Sequence, residues 1–429
     1  MAWLRHRCAH LSVFVLLVGG MVMETVAAPS GPASAEATGS LPAAVNGIAP
    51  GPDILHRPPA RAPQLENAGV WEADPTRVCL TSAYRAGEFL YQDCLWDDNG
   101  GGPAYRWYFY TFMKNYTYPR AEAYRKNAAD IVEVRMKPLD DATAVRITYN
   151  TMTDPGLVAS TIALGDSPQP AEAPHGANTK MPAEVFVTAH GSEGDIVDAA
   201  SGKALPERPV VRTNLRRRQV EIRVPYSAFD PRGETDVRVA AAAGLWDTAN
   251  DRYLVPKQGE PTEAEPGGAV PGDDTPSAFF NVAFRYDEPH DAAWRDHQQL
   301  AAVEQGDISD FFAEVDFTKL EAGTDDDMNG QRGGIPETGY MSMLFASHFE
   351  RNQGRRLPSD PNGPPFGAQT QQNGLSMGEG NADGRPHFAF GWPCRDECTP
   401  DLASQLQRYM VYVPEAAPPP EGYATLLWL

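Results

Sequence analysis

The sequence predicts a mainly β fold in which residues 69–290 form one antiparallel β-sandwich. Apolar and polar residues alternate there in short runs such as IVEVRM, AVRITY and QVEIRV, the pattern of strands with one buried face. Clusters of Pro, Gly, Asp and Asn, such as DPRGETD and GDDTPS, separate the runs. Because hardly any amphipathic helix lies between them, an antiparallel sandwich is favoured over a parallel sheet with helical crossovers.

The alternation also predicts which side chains face the solvent. Val, Ile and Met in these runs are expected to point to the core, whereas the polar residues between them point outward. Exposure is therefore expected for Glu133, Arg135, Arg146 and Thr148. Further runs of similar size, EVFVTA, PVVRT, VRVAAAAGLW and FFNVAFRY, extend the predicted sheets.

The composition indicates a folded protein with no nucleic-acid partner. Of 429 residues, 42% are hydrophobic and 22% are charged, which is ordinary for a globular chain of two or more domains. The 36 basic and 57 acidic residues give a formal net charge of −21, whereas a nucleic-acid-binding protein needs a Lys/Arg surface. The one basic cluster, Arg216 to Arg218, is interpreted as a solvated hairpin tip.

Residues 1–28 are typical of a secretory signal peptide. Arg5, His6 and Arg7 form a charged start, the apolar stretch LSVFVLL follows, and TVAA supplies small residues for cleavage. A retained membrane anchor is the alternative, but the stretch is shorter than the ~18 apolar residues that a spanning helix needs. Residues 29–68, rich in Ala, Pro and Gly, are predicted to be a disordered linker. We therefore expect a secreted, extracellular protein without a transmembrane anchor after cleavage.

Four cysteines remain after signal cleavage, namely Cys79, Cys94, Cys394 and Cys398. An even number in an oxidising compartment favours disulfides, and four cysteines allow three pairings. Pairing of Cys79 with Cys94 and of Cys394 with Cys398 is favoured because each bond would close a short local loop. A four-cysteine zinc site is the alternative, but the spacings of fourteen and three intervening residues do not resemble a zinc knuckle.

Beyond the predicted sandwich, residues 291–401 are expected to form a connector of helical and irregular structure. AAWRDHQQLAAVE favours one helix and GYMSMLFASHFE another, while the rest is rich in Gly, Pro and Asn. Residues 402–429 follow as a separate unit. It has two strand-like segments, RYMVYVP and ATLLWL, on either side of a Pro-rich connection.

Several short motifs occur in an order that resembles a known family. FLYQD, DDNGGG, YTYP and NAADIVEVRM, followed by RRRQVEIRVP, AAGLWD and FFNVAFRYDEP, look like the C-terminal domain of glucodextranase-type enzymes. That domain is a β-sandwich similar to family 9 carbohydrate-binding modules and to the DOMON-like fold of the dopamine-β-monooxygenase N-terminal domain. The resemblance covers residues 69–289 and implies attachment of a neighbouring hydrolase to polysaccharide or to the cell surface.

Aromatic side chains are the candidate sugar contacts, because aromatic faces stack on sugar rings. The candidates are Trp107, Tyr108, Tyr110, Tyr116, Tyr118 and Trp246. The alternative is that each is an ordinary core residue of a strand. The expected partner is a polysaccharide or a cell-wall glycan.

A calcium site is a second candidate, in the loop YQDCLWDDNGGG. Asp93, Asp97, Asp98 and Asn99 offer the clustered oxygen ligands that this hard cation takes. The alternative is an ordinary turn, since turns are built from Asp, Asn and Gly.

The last residues resemble the start of another family. RYMVYVP followed by LLWL is similar to the opening strands of polyhydroxybutyrate-depolymerase-like esterases and prolyl-oligopeptidase-type peptidases, which are α/β-hydrolases. The likeness covers residues 406–429 and reaches none of the catalytic residues of those families. GLSMG around Ser376 fits the string G-x-S-x-G, but its flanks are neither a strand nor a helix, so no catalytic residue is assigned.

Together these observations predict a non-catalytic secreted region: a carbohydrate- or surface-binding sandwich joined to the first strands of an incomplete α/β-hydrolase domain. The alternative is that the same region is the structural scaffold or lid of a secreted serine esterase or peptidase. A complete esterase that uses Ser376 is a third hypothesis.

Overall fold

The computed structural model describes residues 62–95, 97–100, 116–124, 128–150, 152–167, 169–288, 297–346, 406–420 and 422. Within these residues the chain is mainly β, with antiparallel sheets and few helices, which confirms the predicted mainly β class. The helices described are α1 (His297–Gln305) and α2 (Phe317–Ala322), with short 3-10 turns at Pro63–Leu65, Glu122–Tyr124 and Pro155–Leu157. The signal peptide and most of the linker predicted from the sequence lie outside the described residues.

The strands described are β1 (Thr81–Arg85), β2 (Glu88–Gln92), β3 (Ile131–Pro138), β4 (Ala142–Tyr149), β5 (Val158–Leu164), β6 (Ala171–Glu172), β7 (Lys180–Met181), β8 (Val185–His190), β9 (Glu193–Asp198), β10 (Lys203–Ala204), β11 (Val210–Asn214), β12 (Gln219–Pro225), β13 (Val237–Asp247), β14 (Arg252–Tyr253), β15 (Lys257–Gln258), β16 (Gly267–Ala269), β17 (Phe279–Val282), β18 (Ala313–Val315), β19 (Gly339–Ala346) and β20 (Leu406–Val413).

Two large antiparallel sheets carry the fold. The first has the strand order β1-β2-β3-β4-β12-β11, and the second has the order β10-β9-β8-β5-β13-β14 with β17 and β18 also paired to β13. Val134 pairs with Ile147, and Ile147 pairs with Val220, so apolar positions of neighbouring strands fall on the same face. The period-two pattern read from the sequence therefore fixes the register of the first sheet.

Both sheets contribute to one hydrophobic core. Val134 and Ile222 of the first sheet share this core with Ile162 and Phe186 of the second. β13 is buried along almost its whole length, as its continuous apolar run indicates for a strand covered on both faces. Burial of this apolar surface is the main favourable contribution to folding.

The polar face of the first sheet is not exposed, which corrects the sequence prediction. Glu133, Arg135, Arg146 and Thr148 are all buried. The Glu133 carboxylate accepts hydrogen bonds from Arg135 Nε and Arg146 Nη2, both at 2.7 Å, and Arg135 Nη1 lies 2.8 Å from Glu88 Oε2. Burial alone would raise the pKa of Glu133, but the two guanidinium groups hold it below its usual value.

The segment before β1 contributes to this burial. Trp71 lies over the guanidinium carbon of Arg146 at 5.1 Å from the ring centroid. Arg135 Nη1 donates to the carbonyl oxygen of Ala73 at 2.6 Å, and Gln219 Nε2 donates to that of Gln64 at 3.0 Å. Residues 62–65 are buried, so the end of the predicted linker at residue 68 is wrong: the packed chain includes residues from at least Ala62.

A two-stranded ribbon, β19 paired with β20, joins the predicted connector to the predicted last unit. The helix expected from GYMSMLFASHFE is wrong over Gly339–Ala346, because all eight of its residues pair antiparallel with Leu406–Val413. Met343 also bridges to Val78, which attaches the ribbon to the segment before β1. Leu344 and Leu406 enter a second small core with Val132.

The basic cluster lies between β11 and β12 as predicted, but only part of it is solvated. The Arg216 side chain is exposed, whereas Arg218 is buried and donates to the carbonyl oxygen of Asn150.

We expect the substitution Glu133→Ala to lower the free energy of unfolding by about 3–5 kcal/mol, because it removes the carboxylate that two buried guanidinium groups share and leaves Arg146 without its ion pair. Urea unfolding followed by tryptophan fluorescence measures the effect. Glu172→Ala, at an exposed strand position, is the control and should change stability by less than about 0.5 kcal/mol. Equal losses in the two variants would contradict a stabilising role for the buried cluster.

Candidate functional site

The aromatic residues predicted to contact sugar do not form an accessible surface. Trp107, Tyr108 and Tyr110 lie outside the described residues. Tyr116, Tyr118 and Trp246 are only 3%, 2% and 1% exposed, so the prediction for these three residues is wrong.

Each buried ring has a packing partner that explains its position. Tyr118 packs against Phe280 with ring centroids 4.7 Å apart and donates its hydroxyl to Asp98 Oδ2 at 2.7 Å. Trp246 stacks on His190 at a centroid distance of 4.2 Å. These rings therefore pack in the core and present no exposed face for stacking.

The residues predicted to bind calcium are buried and serve another purpose. Asp93 and Asp97 form ion pairs with the buried Arg285, and Asp98 accepts the hydrogen bond from Tyr118. The backbone N–H of Asn99 donates to the carbonyl oxygen of Phe280. Within the described residues, no group of three or more His, Cys, Asp or Glu side chains is arranged to hold a metal ion.

The Arg285 cluster places one positive charge among three carboxylates. Arg285 Nη2 lies 2.7 Å from Asp93 Oδ1 and also contacts Asp97 Oδ2, while Nη1 lies 3.1 Å from Glu288 Oε2. Asp93 Oδ2 and Asp97 Oδ1 are buried without a hydrogen-bond partner in the described part of the chain. Burial raises the pKa of Asp93 to about 8. The Asp97 charge also raises this pKa, whereas the nearby Arg285 lowers it. Burial likewise raises the pKa of Glu288.

The predicted Cys79–Cys94 disulfide is not formed in the structure. Cys79 is buried with a free thiol, and the Sγ atom of Cys94 lies 3.9 Å from Ser342 Oγ. Cys394, Cys398 and Ser376 lie outside the described residues.

A cleft of about 820 Å³ lies next in sequence to the Arg285 cluster and is a candidate site. It is bounded by the chain that follows β17, by α1, by the segment leading into β18 and by the loop 328–332. Tyr286 and Asp287 line it, and they lie in sequence between the cluster residues Arg285 and Glu288. The buried cluster thus fixes the backbone of one wall.

The residues that line this cleft are of several kinds. They are the acidic residues Asp287, Asp307, Asp310 and Glu314, the amide residues Gln298, Gln305 and Gln331, the basic residue Arg332, and the buried apolar residues Phe311, Ala313 and Met328. An apolar floor with polar groups at the rim is the usual composition of a small-molecule or sugar site.

Arg332 holds two walls of the cleft together. Its Nη2 atom lies 2.9 Å from Asp287 Oδ2, and its Nη1 and Nη2 atoms donate to the carbonyl oxygens of Phe312 and Asp310 at 3.1 and 3.2 Å. The guanidinium carbon is 5.3 Å from the ring centroids of both Tyr286 and Phe312, within cation–π range. Charge-assisted bonds of this kind keep the cleft shape defined.

Local packing sets the position of Tyr286. Its hydroxyl is 2.6 Å from Ser82 Oγ on β1. Gly333, with φ of +79°, approaches so closely that a Cβ atom there would overlap the Tyr286 ring. A side chain at residue 333 would therefore displace the ring or the loop.

Helix α1 is fixed to the sheet through a buried glutamine. Gln299 accepts hydrogen bonds from Asn281 Nδ2 and from the backbone N–H of Val282, and donates to the carbonyl oxygen of Asp97 at 2.9 Å. Its neighbour Gln298, which faces the cleft, donates to the carbonyl oxygen of Asp287 at 2.9 Å.

The exposed aromatic residues of the described chain lie elsewhere, on the β19–β20 ribbon. Tyr340 and Tyr412 are directly opposite each other, with ring centroids 4.8 Å apart, and are 53% and 55% exposed. Tyr409 and Met410 are also exposed. Sequence reasoning missed this surface because it read Tyr340 as part of a helix.

The cleft residues were missed as well. From the sequence, FRYDEP is only part of a strand motif. No residue pattern around it shows that Arg285 is buried and Asp287 is exposed. The Gly-Gly pair after Arg332 was the one local signal, since it indicates a turn in which the backbone approaches another group closely.

Comparison with known proteins adds no relationship: no protein-family model matches the chain, and no curated protein matches it. Among the described residues, no helix is long and apolar enough to cross a membrane.

We expect the Asp93 carboxyl to make stability fall as pH rises from about 4 to about 8. Its pKa is about 8 in the folded state against a usual value of 3.8, so the folded state binds the extra proton in this window. The free energy of unfolding then declines by up to about 1.4 kcal/mol per pH unit.

The variant Asp93→Asn isolates this effect, because the amide does not titrate and its oxygen can still accept from Arg285 and from the Cys94 N–H. Urea unfolding of both proteins at a series of pH values gives the difference in stability. The free energy of unfolding of the variant should increase relative to that of the parent as pH rises. A difference that stays constant or shrinks would contradict the assignment.

Proposed function

We propose that the chain is a secreted, non-catalytic accessory region that binds carbohydrate or a glycan-bearing cell surface, and that the cleft between Tyr286 and Arg332 is its binding site. The observation that carries this proposal is the cleft itself. It offers amides, carboxylates and a guanidinium around an apolar floor. Sugars present the complementary groups, hydroxyls that donate and accept hydrogen bonds and C–H faces that pack on apolar atoms.

The sequence supports the same proposal in two ways. The resemblance to the glucodextranase C-terminal domain implies attachment to polysaccharide, through a two-layer sandwich of the DOMON-like kind. The N-terminal segment is typical of a signal peptide, and export brings the chain into contact with extracellular glycans. Tyr116, Tyr118 and Trp246, expected to stack on sugar, are buried, so the proposal places the glycan contact in the polar cleft.

The ribbon favours a second candidate, the scaffold of a secreted α/β-hydrolase. Tyr340, Met410 and Tyr412 form an exposed apolar patch on the β19–β20 strand pair. This strand pair contains RYMVYVP, the segment that resembles the opening strand of an esterase. Exposed apolar patches mark protein contacts, so this surface suits a neighbouring folded domain.

Depletion of the purified chain from solution by insoluble polysaccharides and by cell walls tests the first candidate. We expect retention on at least one polymer, and we expect the variant Gln305→Ala/Gln331→Ala to lose most of it, because the cleft loses two amides. The matched control Tyr340→Ala/Tyr412→Ala alters the ribbon and should be retained like the parent.

The outcomes separate the two candidates. Loss of retention in the ribbon variant, with the cleft variant unaffected, would place the glycan contact on the ribbon. Failure to bind any polymer of a broad panel would reject the binding function and favour the scaffold.

A further inference from the structure

The side chain of His175 lies between two oxygen acceptors. It belongs to the loop between β6 and β7, and its Nε2 atom is 2.9 Å from Asp195 Oδ1 on β9. Its Nδ1 atom is 3.3 Å from the carbonyl oxygen of Asp251, in the turn between β13 and β14. A neutral imidazole has one N–H group, whereas an imidazolium has two. Of the two forms, only the imidazolium can donate to both oxygens, so the geometry fits the protonated side chain.

The charges around His175 agree with this assignment. Burial alone would lower its pKa, but the hydrogen bond and charge of Asp195, together with Asp251, raise it above the usual value of 6.5. The second histidine of this cluster, His190 on β8, lies 3.6 Å from Asp251 Oδ1. Burial lowers the pKa of His190 and the charge of His175 adds to this, although Asp251 and Glu193 oppose it. His175 is therefore the member of the pair that carries a proton near neutral pH.

The loop that carries His175 adopts a backbone conformation that depends on its contacts. His175 and Asn178 have φ of +59° and +53°, in the left-handed region that most side chains disfavour. Such a conformation persists only where the surrounding structure holds it. The two N–H groups of the imidazolium tie the loop to β9 and to the turn after β13. The backbone N–H of Tyr253 also donates to the His175 carbonyl oxygen at 3.0 Å, so loss of the proton would loosen the loop without detaching it.

The same loop supports one wall of the cleft. Lys180, which follows the loop in β7, donates its N–H to the carbonyl oxygen of Gly306 at 2.9 Å and accepts from the N–H of Ile308 at 3.0 Å. A Cβ atom at Gly306 would lie only 3.0 Å from the carbonyl oxygen of Asn178, so the chain after α1 packs directly on the loop. The residues on either side of Gly306 line the cleft.

We propose that protonated His175 is a pH-sensitive latch, which holds the cleft wall around Gly306 in place and releases it when the proton is lost. The proposal rests on the proposed glycan-binding function and adds its regulation. Because the pKa of His175 is raised in the folded state, the latch is complete below about pH 6.5 and is lost as pH rises through that raised value. A loosened wall reduces the fraction of molecules that can bind, so glycan retention should weaken as pH rises.

Nuclear magnetic resonance of the full chain with nitrogen-15-labelled histidine rings tests the protonation state. We expect a titration midpoint above 6.5 for His175 and below 6.5 for His190. The variant His175→Asn identifies the His175 signals, and asparagine tolerates the left-handed backbone. Asp195→Asn should lower the His175 midpoint, because it removes the negative charge beside Nε2. The control Asp140→Asn, at an exposed position of the first sheet, should leave the midpoint unchanged.

Amide hydrogen exchange, corrected for its intrinsic dependence on pH, follows the cleft wall without any ligand. In the parent, protection of the Ile308 N–H should fall as His175 deprotonates, and in Asp195→Asn the fall should come at lower pH. In His175→Asn the protection should not depend on pH in this range.

Depletion by insoluble cellulose, chitin and cell walls, below and above the His175 midpoint, measures the effect on binding. We expect the retained parent to bind about fivefold more weakly above the midpoint, the low end of typical coupling between two sites. His175→Asn should bind equally at both pH values.

The outcomes separate the latch from the glycan-binding function. A His175 midpoint at or below 6.5 would overturn the latch. So would a normal titration of His175 with no parallel change at Ile308, since the charge would then have no hold on the cleft. Retention that is independent of pH in the parent would overturn the regulation while leaving glycan binding intact. If no polymer retains the chain at any pH, while His175 and Ile308 respond as expected, the binding function is rejected and the latch is supported.

Discussion

The burial of Arg285 is the constraint on which the cleft side of the molecule depends. A guanidinium group cannot be left in the interior without acceptors, since an unpaired buried charge costs several kcal/mol. Two chain segments supply them: the loop after β2 through Asp93 and Asp97, and the chain after β17 through Glu288. Gln299 of α1 bonds both segments, since its side chain donates to the carbonyl oxygen of Asp97 and its backbone N–H donates to Glu288 Oε1. Because Arg285 and Gln299 connect the same segments, these segments cannot move independently. The chain after β17, which forms the wall of the cleft with Asp287, is therefore held rigid as well.

A second buried ionic cluster performs a similar task on the outer face of the first sheet. Glu133 joins Arg135 and Arg146, and the segment with Trp71 covers them. Such a cluster adds little stability compared with apolar packing, because desolvation offsets the attraction between the charges. It does restrict the arrangements that the covering segment can adopt, since any shift would leave a guanidinium unpaired. Both clusters thus fix irregular segments to regular sheets.

The sequence predicted what depends on neighbours along the chain and failed where the partner is remote. The alternation of apolar and polar residues predicted the strands β3, β4 and β12 and the apolar face that they share. It could not show that the opposite face is buried, because the covering residue Trp71 lies 150 positions from its partner Glu221. Asp93 was interpreted as a calcium ligand for the same reason, since the charge that it meets belongs to Arg285, 192 positions away. The strand β19 resembled a helix because its partner β20 begins 60 residues after β19 ends. The cleft joins four separate segments, so no local pattern could have revealed it.

The distribution of aromatic residues determines what kind of binding this cleft can support. Phe312 has the guanidinium carbons of Arg238 and Arg332 at 4.6 and 5.3 Å from its ring centroid, so cations already occupy its π-surface. Under the proposed function, binding must then come from hydrogen bonds and charge, and a typical hydrogen bond contributes only about 0.5–1.5 kcal/mol net. The proposal therefore implies weak binding of a single sugar at this cleft. A polymer presents the same unit many times along one chain, which keeps a replacement ligand close whenever one unit dissociates. Attachment to a polymeric surface needs no more than that, whereas capture of a free monosaccharide would require the stacking surfaces that this protein keeps in its core.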